Sequence, residues 1–174
     1  MPPQHGGIVR SPEGGVVTSA PSIIVRAASV RDLKAIWAIE EASYAAPWPK
    51  ETFFVDITFN ADAKYFVATV DRRIVGFIGG WFKEGQLHIV NVATHPSSRG
   101  SGVAKQLVLF LLDLARDLKM RSAFLEVRRS NVAAQKLYEG LGFGVTDLRP
   151  MYYPDNMEDG LVMTKELCSA HTGN

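Results

Sequence analysis

The alternation of hydrophobic and polar positions predicts strands and helices in mixed order along the chain. Runs rich in Val, Ile and aromatic residues are typical of strands, and they occupy residues 22–26, 65–70, 73–82, 86–94, 122–127, 143–148 and 159–165. Only Asp71 and Arg72 separate the second run from the third, which favours an antiparallel hairpin at this point.

Four further segments have the apolar spacing or the boundary residues of helices. The clearest is 102–119, whose apolar side chains recur at helical intervals: Val103, Leu107, Phe110, Leu111, Leu114 and Leu118. Another helix follows the capping box of Ser29 and Asp32, and helices are also predicted for 50–59 and 131–141. This mixture predicts an α/β fold with a central mixed sheet and helices on both of its faces.

Length and composition restrict the class of protein. A chain of 174 residues with 47% hydrophobic residues suits one domain with a sizeable core. Residues 1–21, rich in Gly, Pro and Ser, are interpreted as a flexible leader and 168–174 as a short tail, which leaves 22–167 as the domain. A net charge of +1 argues against a strongly basic nucleic-acid surface, and no apolar run reaches the length of a membrane helix.

The cysteine and histidine content adds two expectations. Cys168 is the single cysteine, so no intrachain disulfide can form and a reducing, cytoplasmic location is expected. The histidines have no metal-ligand spacing, and they are His5, His88, His95 and His171. We therefore expect no metal cofactor.

The segment most informative about chemistry is a glycine turn between an apolar strand and the long helix. It reads Arg99-Gly100-Ser101-Gly102-Val103-Ala104. The first N–H groups of a helix lack intrahelical partners and the helix dipole adds positive charge, so the turn favours an anion. Glycine lets the backbone approach a phosphate closely, and Arg99 adds a hydrogen-bonding fork.

From the residues alone, three interpretations of this turn remain open. It could simply connect a strand to a helix. It could begin a dinucleotide-binding GxGxxG pattern, although Lys105 stands at the third glycine, and no GK[ST] follows as in a P-loop. It could also hold the pyrophosphate of coenzyme A.

The pattern Arg99-x-x-Gly102-x-Ala104 resembles the (Q/R)xxGx(G/A) pyrophosphate motif of the GNAT acetyltransferase superfamily. The resemblance implies the GNAT fold, with a mixed and mostly antiparallel sheet, and acetyl-CoA as the cosubstrate. It also implies that main-chain groups at the end of the preceding strand bind the pantetheine arm and the acetyl carbonyl. These groups belong to Val92, Ala93 and Thr94.

A second segment, LEVRRSNVAAQKLYEGLGF at 125–143, is closely similar to the ribosomal-protein-alanine N-acetyltransferase branch of that superfamily. With 152–167, the resemblance extends over nearly the whole domain. It implies that Glu126 is the general base, that Tyr138 is the general acid and that Asn131 hydrogen-bonds coenzyme A.

The residues alone also allow a plainer interpretation of each of these side chains. Glu126 could face solvent on an alternating strand, Tyr138 could fill the core, and Asn131 could cap a helix. The chemistry does need a base, because an α-ammonium of pKa ~7.7–8.0 cannot attack while it is protonated. Partial burial is expected to raise the pKa of Glu126 into a useful range.

The resemblance also implies that two segments, 46–49 and 151–156, form loops beside the acceptor cleft. Trp48, Tyr152 and Tyr153 would line an entrance that admits an unstructured peptide terminus. The same rings could instead close the edges of the core.

Together, these features predict acetyl transfer from acetyl-CoA to the N-terminal amine of a protein, by direct attack in a ternary complex. In its most specific form, this prediction names the N-terminal alanine of ribosomal protein S18 as the acceptor. A small-molecule amine as acceptor and a non-catalytic coenzyme-A-binding sensor are the alternatives. We expect no nucleic-acid or membrane partner, and the chain as a monomer or a homodimer. Two splayed strands should open near Val92 and Val127, beside the glycine turn.

Overall fold

Seven strands within residues 22–167, the part of the chain that the computed structural model describes, join into one sheet. They are β1 (Ile24–Ala27), β2 (Ala63–Val70), β3 (Arg73–Lys83), β4 (Gln86–Thr94), β5 (Ser122–Arg128), β6 (Gly144–Tyr153) and β7 (Glu158–Glu166). Their order across the sheet is β1-β2-β3-β4-β5-β7-β6. The predicted leader, the predicted tail and Cys168 lie outside the described residues.

The helices lie close to their predicted bounds. They are α1 (Leu33–Ser43), α2 (Lys50–Phe59), α3 (Val103–Asp117) and α4 (Val132–Gly140). Helices α1 and α2 pack on one face of the sheet, where Ile36 and Phe53 contact Phe77 of β3 in a buried cluster. Helices α3 and α4 contribute to the cluster on the other face, in which Leu111 and Tyr138 are buried. Burial on both faces explains why the strands carry long apolar runs.

The sheet is mixed, as predicted, because β4 and β5 run parallel while the other neighbouring strands pair antiparallel. Helix α3 makes the crossover that a parallel pair needs. The predicted α/β architecture with a mostly antiparallel sheet and helices on both faces is therefore confirmed.

Strand β6 corrects one prediction from the sequence. The pattern ended this strand at Leu148 and assigned 151–156 to a loop, whereas β6 continues to Tyr153, which pairs with Glu158 of β7. Pro150 does not end the strand because β6 lies at the edge of the sheet, where one side of the strand needs no hydrogen-bonding partner. The loop between β6 and β7 is only 154–157.

The predicted splay between the two parallel strands is present. Strands β4 and β5 pair from Gln86 opposite Ser122 to Ile89 opposite Leu125. Beyond these residues both strands continue without pairing to each other. The sheet is thus open on one side of its centre, between Val92 and Val127, as expected.

A β-bulge in β4 lies where the two strands separate. Gly79 of β3 faces Asn91 and Gly80 faces Ile89, so Val90 is the extra residue. A bulge reverses the faces to which the following side chains point. Ile89 therefore packs in the α3 cluster, whereas Asn91 hydrogen-bonds Glu40 of α1.

Candidate active site

A cleft of about 1220 Å³ opens where β4 and β5 separate. A typical small-ligand pocket occupies about 300–1,000 Å³, so this cleft has room for two substrates together. Its walls come from the segment after α1, from β4 and β5, from the first turns of α3 and α4, and from the β6–β7 loop.

Most of the site residues predicted from the sequence line this one cleft. They are Trp48, Val92, Thr94, Arg99, Gly100, Gly102, Val103, Ala104, Glu126, Asn131, Tyr138 and Tyr153. Three others do not line it. Ala93 packs in the α1–α2 cluster, the Ser101 hydroxyl donates to the Ser98 carbonyl, and Tyr152 packs against Gly160.

The glycine turn leaves the start of α3 open to a ligand. Gly100 and Gly102 have φ angles of 76° and 83°, in the left-handed region that favours glycine. A Cβ at either glycine would meet no atom within 4 Å, and no side chain caps the N-terminus of α3. The N–H donors of its first turn are therefore free for an anion, beside the Arg99 guanidinium.

Replacing Gly102 by alanine should weaken donor binding. An L-residue in the left-handed region costs roughly 1–2 kcal/mol, so the turn would relax and the KM for acetyl-CoA should rise about tenfold. Steady-state kinetics with varied acetyl-CoA measures this change. Gly140→Ala is the matched control, because Gly140 lies in α4 without a left-handed φ and with open space around it. Equal KM values for the two variants would contradict the prediction.

Glu126 lies on β5 just beyond the last residue paired with β4, and its side chain is only 8% exposed. Its Oε2 is 2.6 Å from Nε2 of His88. Its Oε1 is 2.6 Å from Nη1 of Arg149 on β6, although this contact lacks the geometry of a hydrogen bond. The carboxylate is thus held between two nitrogen groups at the edge of the cleft.

The pKa of Glu126 differs from the expectation. Burial raises the pKa of this carboxyl, but the hydrogen bond and charge of His88 and the charge of Arg149 outweigh it, so the pKa lies below its usual value. The expected upward shift is therefore wrong. The two partners come from β4 and β6, and no pattern within 125–143 points to either of them.

Tyr138 and Asn131 place both ends of α4 at the cleft. Tyr138 is 6% exposed and packs edge-on against Phe143, with ring centroids 5.9 Å apart. Burial raises the pKa of its phenol, and Tyr153 adds to the rise, so the hydroxyl stays protonated at neutral pH and can donate. Asn131 is the N-cap of α4, since its Oδ1 accepts from the Ala134 N–H at 3.1 Å. Its amide nitrogen takes no part in that cap.

A buried polar group on the α1 side of the cleft was not singled out from the sequence. Glu40 is 1% exposed and accepts from the Trp48 N–H at 3.0 Å and from Asn91 Nδ2 at 3.1 Å. Burial raises the pKa of this carboxyl. The signal was available, because Glu40 follows Ile36 and Ile39 on the buried face of α1.

Main-chain and side-chain acceptors also face this side of the cleft. Tyr44, just after α1, donates its hydroxyl to the Val92 carbonyl at 2.5 Å. Asn91 Oδ1 and Thr94 Oγ1 are buried and have no hydrogen-bond partner within the described part of the chain. Unpaired polar atoms are costly in a dry interior, and both residues line the cleft where a substrate could satisfy them.

Arg128 fixes the loop between β6 and β7. Its guanidinium binds Asp155 at 2.9 Å and Glu158 at 3.4 Å, and it stacks on the Tyr153 ring at 4.0 Å from the centroid. Burial raises the pKa of Tyr153 to about 12 despite the opposing charge of Arg128. Tyr153 therefore forms a neutral, positioned part of the cleft wall, to which Trp48 also contributes, while Tyr152 lies outside the cleft.

Two further features of the described residues concern metal ions and membranes. Among residues 22–167, no group of three or more His, Cys, Asp or Glu side chains is arranged to hold a metal ion. In the same range, every helix is too short or too polar to cross a membrane.

The fold, with its split sheet and open helix start, agrees with that of an acetyltransferase. The chain belongs to the acetyltransferase (GNAT) family, whose model matches residues 33–143. Acetyl-CoA is the donor that this family uses. The chain is 34% identical over 139 residues to the [ribosomal protein bS18]-alanine N-acetyltransferase of Salmonella typhimurium, a match that covers 78% of this chain and 91% of the relative.

Similarity to solved structures supports the assignment of the chain to this family. The ribosomal-protein-S18-alanine N-acetyltransferase from Escherichia coli superposes with a TM-score of 0.81 at 27% identity, covering 88% of this chain and 99% of the other. Ard1 from Thermoplasma volcanium gives a TM-score of 0.76 at 26% identity, covering 84% and 99%.

Proposed function

We propose that this enzyme acetylates the N-terminal α-amine of a protein, with the alanine terminus of ribosomal protein S18 as its acceptor. The observation that carries the proposal is the single cleft, which is lined by a carboxylate, a protonated phenol and the uncapped start of α3. The similarity to two enzymes named for this acceptor supports the choice of acceptor.

The donor would occupy the side of the cleft between α3 and α4. Its pyrophosphate would lie on the N–H groups at the start of α3, beside Arg99. Asn131, at the start of α4, offers its amide nitrogen to the same ligand. The main chain of β4 from Val92 to Thr94 lacks a β5 partner. The carbonyls of Val92 and Thr94 accept from Tyr44 and Ser43, so the N–H groups along this edge are the ones available to the pantetheine arm and the acetyl carbonyl.

Chemistry would proceed by direct attack of the amine on the thioester in a ternary complex. Glu126 would take the amine proton, directly or through one water. A main-chain N–H near Val92 or Ala93 would stabilise the negative charge on the carbonyl oxygen. Tyr138 would donate its proton to the departing sulfur, since the raised pKa of its phenol keeps that proton in place until the C–S bond breaks.

The acceptor would enter from the α1 side, between the Trp48 segment and the β6–β7 loop. Amphipathic rings such as Trp48 and Tyr153 can enclose an extended peptide while their polar edges stay hydrated. Because Arg128 binds Asp155 of the β6–β7 loop and stacks on Tyr153 at the end of β6, this entrance is rigid on one side. An acceptor site inside a cleft with one fixed wall favours an unstructured terminus over a folded surface.

The acceptor is tested by acetyl transfer to a panel of short peptides. One peptide begins with the alanine terminus of ribosomal protein S18, and others begin with Met, with Ser or with a blocked amine. We expect rapid transfer to the alanine peptide and none to the blocked one. Comparable transfer to all free termini would indicate a broader protein acetyltransferase, and acetyl-CoA binding without any transfer would indicate a sensor.

A small polycation is the second candidate acceptor, because four carboxylates line the cleft: Glu40, Glu126, Asp155 and Glu158. Each already has a partner within the described residues, which reduces their attraction for a ligand cation. Spermine is therefore the control acceptor in the panel. Transfer to spermine alone would replace the peptide proposal.

A further inference from the structure

Asn91 presents an unpaired carbonyl oxygen to the cleft. The residue is only 8% exposed, and its Oδ1 has no hydrogen-bond partner within residues 22–167. The other half of the same amide is paired, since Nδ2 donates to Glu40 Oε2 at 3.1 Å. A buried acceptor without a donor is costly. Because Asn91 lines the cleft, a ligand bound there can supply the missing donor.

Glu40 decides which way this amide points. Its Oε1 accepts from the Trp48 N–H at 3.0 Å, and its Oε2 accepts from Asn91 Nδ2. An ionised carboxylate offers only acceptors, so the Asn91 amide must turn its nitrogen toward Glu40 and its oxygen away from it. Glu40 is 1% exposed and belongs to α1, so this pair is fixed in a place that solvent does not reach.

Asn91 and Glu126 point to the same face of the sheet from opposite sides of its gap. Leu125 packs in the cluster to which α3 contributes. Neighbouring side chains of a strand point to opposite faces, so Glu126 points to the α1 face. The bulge in β4 turns Asn91 to this face as well, where it reaches Glu40. A ligand group in the gap would therefore meet an oxygen atom from each of the two strands.

We propose that Asn91 Oδ1 accepts a hydrogen bond from the α-ammonium of the acceptor peptide, in the orientation that Glu40 sets. This inference rests on the proposed function of the cleft. An ammonium has three N–H donors and no acceptor, so it suits two converging oxygen groups, the Asn91 amide and the Glu126 carboxylate. Held from β4 and β5 together, the nitrogen lies in the gap, beside the β4 main chain that would bind the acetyl carbonyl.

The amides of a pantetheine arm are the other N–H groups that could reach this oxygen. Two observations favour the ammonium. Helices α3 and α4, between which acetyl-CoA would bind, pack on the face of the sheet opposite to Asn91. Hydrogen bonds in a chain also polarise one another, so the Glu40 carboxylate makes Asn91 Oδ1 a stronger acceptor, which suits a cation better than a neutral amide.

Glu40→Gln should reverse the Asn91 amide without removing a hydrogen bond. The Trp48 N–H still needs an acceptor, so the new side-chain oxygen takes that place and the new amide nitrogen faces Asn91. Asn91 then turns its oxygen to this nitrogen and its own nitrogen to the cleft. The KM for the alanine-terminated peptide should rise by about tenfold to a hundredfold, while the KM for acetyl-CoA stays unchanged.

A peptide without the amine separates the loss of this hydrogen bond from a general disturbance of the cleft. Replacing the first alanine by a propionyl group removes the amine and keeps the rest of the peptide, which then competes with the acceptor. Its Ki should be the same for the wild type and for Glu40→Gln, because it has no ammonium to lose a hydrogen bond. Equal weakening of the two peptides would overturn the proposal.

Two more variants complete the test. Asn91→Leu keeps a similar volume but has neither donor nor acceptor, so it should show the same rise in the peptide KM and the same unchanged Ki. Asp56→Asn is the matched control, since Asp56 is another buried acid, which accepts from Tyr65 and Trp81 outside the cleft. This control should lower the free energy of unfolding and leave both peptide constants unchanged.

The outcomes separate this inference from the proposed function. A wild type that acetylates no peptide would overturn the proposed function. An active wild type whose peptide KM equals that of Glu40→Gln would overturn the role of Asn91 alone. A rise in the KM for acetyl-CoA instead would assign the Asn91 oxygen to the donor and also overturn it. If circular dichroism shows that Glu40→Gln does not fold, Asn91→Leu decides by the same constants.

Discussion

Glu126→Gln should lower kcat by about 10²- to 10⁴-fold, the range that one positioned general base contributes. Glutamine keeps the size of the side chain and removes its ability to accept a proton. The lowered pKa of Glu126 keeps the wild-type carboxylate ionised across neutral pH, so the wild-type rate should rise with pH only until the acceptor amine, of pKa ~7.7–8.0, has lost its proton. The variant then depends on hydroxide, and its rate should keep rising beyond that plateau.

The measurement is kcat against pH for the alanine-terminated peptide, with circular dichroism to confirm the fold. Glu139→Gln is the matched control, since Glu139 is an exposed carboxylate on α4, outside the cleft. We expect the control to match the wild type at every pH. A Glu126→Gln profile that overlays the wild type would show that the base is another group.

Tyr138→Phe should lower kcat by about a hundredfold and leave the KM for both substrates unchanged. The ring, which packs against Phe143 in the core, is retained, and only the hydroxyl that faces the cleft is lost. A thiolate departs less readily when no proton reaches it. The loss should be smaller with an acetyl thioester whose thiol is more acidic, because that leaving group needs less assistance.

Tyr65→Phe is the control for this hydroxyl deletion. Tyr65 is 5% exposed and donates to Asp56 Oδ2 at 2.9 Å, away from the cleft. The free energy of unfolding should fall by roughly 1–3 kcal/mol, because a buried acceptor loses a donor, while kcat stays unchanged. If Tyr138→Phe behaved in the same way as this control, Tyr138 would be a core residue and not the acid.

How far the sequence predicts the fold can be judged from particular elements. Helix α3 was predictable as an element because apolar residues recur at helical spacing. Its buried face was predicted only in part, since Phe110 and Leu118 of the predicted stripe are exposed, whereas Val108, Leu112 and Ala115 are buried. The end of β6 was not predictable, because whether Pro150 interrupts a strand depends on its place in the sheet, and the edge position arises only from the order β5-β7-β6. The bulge at Val90 is likewise a property of the pairing with β3.

The candidate site likewise has some features that the sequence predicts and others that it does not. The glycine turn and the Asn131 cap are local features, in which a few consecutive residues fix both the backbone and its hydrogen-bonding capacity. Glu126 as a candidate base followed from the resemblance of its segment. The sequence did not predict the ionisation state of Glu126, because that state depends on His88 and Arg149. His88 lies 38 residues before Glu126 and Arg149 more than twenty residues after it, each on a different strand.

The sequence by itself determined the order of the elements, the anion-binding turn and the membership of Glu126 and Tyr138 in a recognisable segment, since these depend on neighbouring residues. Only the tertiary structure decided that β6 continues through Pro150 to Tyr153, that Glu40 is buried beside the cleft and that His88 and Arg149 flank Glu126. Each of these depends on contacts between residues distant in sequence, and such contacts fix the burial and charge on which a pKa depends.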